Sequence, residues 1–456
     1  MAEKSGFPYF EVQFTKTGDV HDREEAEALQ RHLATSDGED LLVLAHGWNN
    51  DMRDARGLYD GLLRELRAAV SARRIAGAPR RITVLGVLWP SKKFADMEIT
   101  ASGAAGLGSA VTDDAILRQI DQLQEVFDEP EQVAALESAK ALLPKLEDSP
   151  RAQREFADLV RSAVSHEPLP DDAREAADED ASDTFFALPG SDLMERLAKP
   201  IDLEAEFPAD ESGDEPFDDL GGAARVGVDD AGGAAGLGEF LSGMKAAAGN
   251  LLNYATFFSM KQRAGTVGQR GVNTLLREIA GQHPDLRVHL LGHSFGARLV
   301  TAATAGPDER AGFSPSSLVL LQAAFSHNGF AENFDGKGGN GDFRRIVARR
   351  LISGPIVVSH TRNDKAVGLA YPLASKISGS DSAGLGDARD RFGGLGSNGA
   401  QFTPEAVKGR LAPVSESYDF QRGRVYNLRA DSVISSHSDI VKPEVAHVVL
   451  AAMAAS

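Results

Sequence analysis

Gly292-His293-Ser294-Phe295-Gly296 is the segment of this chain best equipped for covalent chemistry. Arg287 to Leu291 reads as a strand directly before it, and Ala297-Arg298-Leu299-Val300-Thr301-Ala302-Ala303 as a helix directly after it. A turn from strand to serine to helix holds the serine in a strained backbone, which requires small neighbours such as Gly292 and Gly296. It also projects the hydroxyl beyond the sheet, with a helix N-terminus behind it. The 456 residues include no cysteine, so a nucleophile must be oxygen or nitrogen, and disulfides and thiolate metal sites are excluded. A serine hydroxyl is inert near neutral pH, so the chain must also supply a base and a group to hold that base.

These residues resemble the α/β-hydrolase superfamily, whose nucleophile, acid and histidine follow one another in chain order. The resemblance covers roughly residues 1–100 and 251–456, taken as the catalytic core, and implies an α/β-hydrolase fold, a mostly parallel sheet flanked by helices. It implies that Ser294 attacks, that His437 in Ser435-Ser436-His437-Ser438-Asp439 takes and returns the proton, and that Asp364 fixes the imidazole. Asp387 and Asp390 stay open as the acid. His447, read as solvated on the polar side of the last helix, and His360, ending a strand, are the rival histidines. His46-Gly47-Trp48-Asn49-Asn50 resembles the His-Gly segment of lipases and esterases. By that likeness one oxyanion N–H comes from Trp48 or Gly47 and the other from Phe295, while His46 and His293 take support roles. Trp89-Pro90-Ser91 resembles a segment of poorly characterised bacterial members of the superfamily.

The elements that must position these groups are short, continuous apolar runs at Leu41 to Leu44, Ile82 to Trp89, Val288 to Leu291, Leu318 to Leu321, Ile356 to Val358 and Arg424 to Leu428. Such runs suit parallel strands buried on both faces. Helical spacing recurs between them, at Leu58, Leu62, Leu66 and Val70, at Val267 to Ile279, and in a last helix from about Pro443. Phe10, Val12 and Phe14 alternate and suggest an added antiparallel edge strand.

From 101 to 250 the pattern changes to a mainly helical insertion. Ser109 to Asp230 holds 33 acidic and 10 basic residues, net −23, so the rest of a chain of net charge −19 stands at +4. Ile116, Ile120, Leu123 and Phe127, then Leu136 and Leu143, then Phe156, Leu159, Val160 and Val164 mark amphipathic helices. Residues 167–219 are rich in Asp, Glu and Pro and read as irregular and partly flexible. Gly-Ala-Ala-Gly-Leu-Gly at 103–108 and again at 233–238 marks flexible boundaries. The insertion is expected to cap the strand C-termini, and its acidity fits a basic protein partner. Leu251, Leu252, Phe257, Phe258 and Met260 suit an acyl cleft or, preferably, core.

The acidity speaks against nonspecific binding to nucleic acid or anionic membranes. No uncharged apolar run reaches the roughly 18–20 residues of a transmembrane segment, and no secretory signal opens the chain, which implies a cytoplasmic protein. Asp335-Gly336-Lys337-Gly338-Gly339-Asn340-Gly341-Asp342 lacks EF-hand spacing and reads as a flexible loop. No metal or organic cofactor is implied. The expectation is a serine hydrolase acting on a small-molecule ester through an acyl-enzyme, esterase or lipase-like. A thioesterase, peptidase or acyltransferase would use the same residues, and a scaffold acting through the acidic insertion is the competing class.

Overall fold

The computed structural model describes residues 2–35, 39–48, 50–72, 81–91, 113–127, 129–164, 182–199, 243–307, 313–364, 373–374, 376–379 and 392–456. Its centre is a sheet of nine strands: β1 (Ala2–Lys4), β2 (Phe7–Gln13), β3 (Glu39–Ala45), β4 (Arg81–Leu88), β5 (Arg287–His293), β6 (Ser317–Leu321), β7 (Ile356–His360), β8 (Ala406–Arg410) and β9 (Val425–Arg429). Their order is β1-β2-β4-β3-β5-β6-β7-β9-β8, and every pairing except β1 with β2 is parallel.

The apolar runs follow from this burial. On β3, Leu41, Val43 and Ala45 face one core layer and Leu42 and Leu44 the other, so both faces must be apolar. The second layer is closed by α2 (Met52–Ser71), through Tyr59, Leu63 and Leu66, and by the C-terminal helix Pro443–Ala454, through Val445, Val448 and Val449. Asp51 starts α2 with a capping box shared with Asp54, satisfying N–H groups that have no intrahelical acceptor. The first layer is closed by α1 (Arg23–Leu33) and by helices between β4 and β6.

The N-terminal segment differs from expectation. β2 runs parallel to β4, and the antiparallel edge strand is β1. Ser5 and Gly6, at φ 49° and 76°, make a two-residue turn with both centres left-handed, the geometry that suits a tight hairpin. The hairpin therefore lies between β1 and β2, and α1 carries the chain back to start β3 parallel.

Within the insertion, α3 (Asp113–Val126), α4 (Pro130–Lys140), α5 (Pro150–Ala163), α6 (Ser182–Ala187) and α7 (Gly190–Ala198) gather beside α8 (Met244–Thr266), which α9 (Asn273–Gln282) follows. Phe185 and Phe186 pack on Tyr254 and Phe258 of α8, and Asn250 Nδ2 donates to Leu197 O at 3.1 Å. One helix thus runs through the expected boundary at 250, and the insertion shares the core of the first layer. Part of the stretch read as irregular is helical, because Leu193, Met194 and Leu197 of α7 recur at helical spacing and are buried. Residues 167–181 and 200–219, and both Gly-Ala-Ala-Gly-Leu-Gly segments, lie outside the described residues.

After β3 the chain forms β4 on one side, and β5 lies on the other. A parallel sheet opens a crevice at the carboxyl ends of strands where its winding reverses in this way, and ligands favour such crevices. Ala45 pairs with Gly292 there, so the segment after β3 and the segment after β5 lie side by side.

Candidate active site

Ser294 follows β5 and caps α10 (Phe295–Ala305), with φ 56° and ψ −125°. A non-glycine residue reaches that region only when its surroundings hold it there. They do so from both sides. Ser294 N donates to Leu321 O at 3.0 Å and Ser294 O accepts from Ala324 N at 3.2 Å, tying the turn to the end of β6. A Cβ at Gly292 would collide with Gly296 O, and one at Gly296 with Ala45 O, so the turn closes only with glycine at both places. Ser294 is 4% exposed, at the N-terminus of a buried helix whose first N–H groups lack intrahelical acceptors.

Gly47 is the point where the segment after β3 touches this turn. A Cβ there would lie 2.7 Å from Ser294 Cβ and 3.2 Å from its Oγ. The Gly47 carbonyl is held in a brace: His46 Nδ1 donates to it at 2.9 Å and Asn50 Nδ2 at 3.1 Å. Because a trans peptide places N–H opposite C=O, this brace sets the direction of the Trp48 N–H. The His46 imidazole stacks on Trp89, its ring centroid 5.7 Å away, and lies 3.2 Å from Ser91 Oγ. Its backbone N–H donates to the Tyr59 hydroxyl at 2.9 Å. Burial pushes His46 down to about 4, against a smaller opposing effect of the Gly47 carbonyl, so the ring is neutral near pH 7.

On the other side, His437 Nδ1 donates to Asp364 Oδ2 at 2.9 Å. Asp364 ends the turn after β7, and Asn363 beside it donates from Nδ2 to Ile434 O at 2.8 Å and Asp431 O at 3.1 Å, binding the two loops together. Asp439 braces the His437 loop by accepting from Ser435 N and Oγ at 3.0 and 2.7 Å. His293 Nε2 donates to His437 O at 2.8 Å, and the two rings lie 4.8 Å apart. Burial, then the charge of His437, pushes His293 down to about 3. No hydrogen bond joins Ser294 Oγ to His437 among the described residues; such contacts are commonly long before substrate binds.

The expected residues Gly47, Trp48, Gly292, His293, Ser294, Phe295, Gly296, Asp364 and His437 therefore meet at one end of the sheet. Trp48 and Phe257 of α8 pack on Phe295, with ring centroids 5.9 and 5.2 Å away. Leu251, Leu252, Phe258 and Met260 are core side chains of the same helix. Asp387 and Asp390 lie outside the described residues. His360 ends β7, where its ring hydrogen-bonds the Ser397 backbone, and burial lowers its pKa. His447 is not solvated as expected: it is 3% exposed, its Nε2 donates to Glu416 O at 2.6 Å, and Tyr418 packs on its ring. The segment before β9 folds over the helix face that the sequence made look free.

In the Asp335 loop, Asp335 Oδ1 accepts from Lys337 N and Gly339 N at 2.8 and 2.9 Å, so this carboxylate serves the turn itself. No cluster of metal-ligating side chains occurs among the described residues, and no described helix is long and apolar enough to cross a membrane. The bracing roles of Asn50, Tyr59, Ser91, Asn363 and Asp439 carry no local sequence signal, since each acts on a partner placed by the fold. Comparison of the chain with protein families, curated proteins and solved structures returns no match.

Proposed function

We propose that this chain is a serine hydrolase of the α/β-hydrolase type that cleaves carboxylic esters through an acyl-enzyme. The observation that carries the reading is the left-handed backbone of Ser294 at the junction of β5 and α10, beside a histidine hydrogen-bonded to a buried aspartate. In the reaction, Ser294 Oγ attacks the ester carbonyl as His437 Nε2 takes its proton. The negative oxygen of the tetrahedral intermediate is stabilised by the N–H groups of Phe295 and of Trp48 or Gly47. His437, kept in its Nδ1–H tautomer by Asp364, then protonates the departing alcohol oxygen. Water attacks the acyl-enzyme with His437 as base, and Ser294 regains its proton.

Ester rather than amide cleavage is favoured by the likeness of the His-Gly-Trp and Gly-His-Ser-Phe-Gly segments to lipases and esterases. The aromatic wall of Trp48, Phe295 and Phe257 supports an apolar acyl or alcohol group. Because Phe257 belongs to the helix on which the insertion packs, the insertion is read as a cap that shapes access to Ser294. The test is labelling of the full chain with a fluorophosphonate probe. Labelling abolished by both Ser294→Ala and His437→Ala is the expected result, followed by turnover on a panel of esters and thioesters. A folded wild-type protein that does not label, or a Ser294→Ala variant that still does, overturns the reading.

A further inference from the structure

The His293 side chain reaches all three segments of the site. It precedes Ser294 in the turn, its Nδ1 lies where a Cβ on Gly47 would approach to 3.1 Å, and its Nε2 holds the His437 carbonyl at 2.8 Å. A carbonyl can only accept, so Nε2 carries the proton and Nδ1 is a bare acceptor. Nδ1 is buried and has no hydrogen-bond partner among the described residues. A buried acceptor left unmatched costs roughly 1–3 kcal/mol, so core packing alone would be better served by an apolar side chain. The hydrogen bond from Nε2 is what the imidazole contributes there.

We propose that His293 is a positioning residue for His437, fixing the backbone of the proton-transferring histidine relative to the nucleophile turn. The proposal rests on the hydrolase reading for its meaning and on the geometry above for its content. Asp364 holds one ring nitrogen of His437, and Asp439 holds Ser435, two residues upstream. Neither contact is to the backbone of His437 itself. His293 supplies that hold, and it does so from the residue covalently joined to Ser294, so the distance between nucleophile and base is set through one short path. Its neutrality matters for the same reason: a second cation 4.8 Å from His437 would oppose formation of the imidazolium.

The test compares His293→Gln with His293→Asn in the full chain. The Gln amide nitrogen occupies the place of Nε2 and can donate to the carbonyl; the Asn amide, one methylene shorter, occupies the place of Nδ1 and cannot. Two readouts are taken, the fluorophosphonate labelling rate and the low-field proton resonance of His437 Nδ1–H. Expected are a labelling rate at least about tenfold lower for His293→Asn, with its resonance shifted or broadened, and near wild-type behaviour for His293→Gln. Equal labelling and an unmoved resonance in both folded variants overturn the positioning role while leaving the hydrolase reading intact. A wild-type protein that does not label but whose His437 resonance follows the Gln and Asn contrast overturns the hydrolase reading and supports the positioning role.

Discussion

The Nδ1 of His437 and the Oδ2 of Asp364 are 2.9 Å apart, with the carboxylate side chain fully buried and the imidazole 19% exposed. The aspartate is thus enclosed in the protein while part of the histidine ring stays open to solvent. Asp364→Asn keeps the volume but offers an amide that can pair with the wrong tautomer. The labelling rate is expected to fall by about 10³–10⁴-fold, with an unchanged circular dichroism spectrum. A loss below tenfold would remove Asp364 from the relay.

Ser294 stores strain that a residue without Cβ would not. Ser294→Gly is expected to raise stability by about 1 kcal/mol, the relief of a forbidden backbone less the extra freedom of unfolded glycine, while labelling disappears. The urea midpoint measures it; a midpoint at or below that of Ser294→Ala would show that the turn is not strained.

The contact of Gly47 with Ser294 predicts that Gly47→Ala disables the site. Its Cβ would lie 2.7 Å from Ser294 Cβ, so the segment carrying Gly47 and Trp48, the proposed oxyanion donors, must retreat. Labelling is expected to slow by about 10²–10³-fold, the usual consequence of losing one such donor. Single-turnover labelling kinetics give the number.

Acid should destabilise the fold through its buried neutral histidines. Folded His46 stays unprotonated until about pH 4 and His293 until about 3, whereas unfolded histidine takes up its proton near 6.5. Between those values the unfolded chain binds more protons, so stability falls as pH drops from 6.5 toward 4 and is not improved above 7. His46→Asn should flatten that slope in denaturant midpoints measured from pH 4 to 7; an unchanged slope would assign the effect elsewhere.

At the opposite end of the sheet, Arg287 grips Asp40 through Nε at 2.9 Å and Nη2 at 2.6 Å. Burial tends to raise the Asp40 pKa, but the nearby His289 imidazole and the hydrogen-bonded Arg287 guanidinium outweigh it and hold the carboxyl below its ordinary value. His289 Nδ1 is also 2.9 Å from Ser317 Oγ, so serine, histidine and aspartate adjoin here too, enclosed in the core. Arg287→Met leaves the carboxylate buried without its strongest partner and should cost about 3 kcal/mol in chemical denaturation, with labelling of the folded protein unchanged.

The site residues that could be read from sequence were those whose signal is local. Ser294 sits between a strand and a helix that announce themselves, and Gly292 and Gly296 are demanded by the turn. Asp364 and His437 became readable through chain order and likeness. Tyr59 and Ser91 did not, because each serves His46 across elements that only the sheet order brings together. β8 carries no such signal, because Val407 to Arg410 are exposed and lack an apolar run; pairing with β9 makes the strand. The direction of β2 is hidden for a related reason: alternation reveals a strand but not its partner. His447 looks solvated in sequence because helical spacing cannot foresee that the segment before β9, with Glu416 and Tyr418, folds over it.

The adjacency of β3 and β5 has a consequence for biosynthesis. Asp40 and Arg287 are neighbours in the sheet but 247 residues apart in the chain. At ribosomal speeds of about 5–20 residues per second, β5, the second partner of β3 beside β4, emerges about 10–50 s after β3 itself. Throughout that interval Leu41 to Ala45 present an apolar edge awaiting a strand not yet made. Slower translation of the acidic insertion should lengthen that exposure.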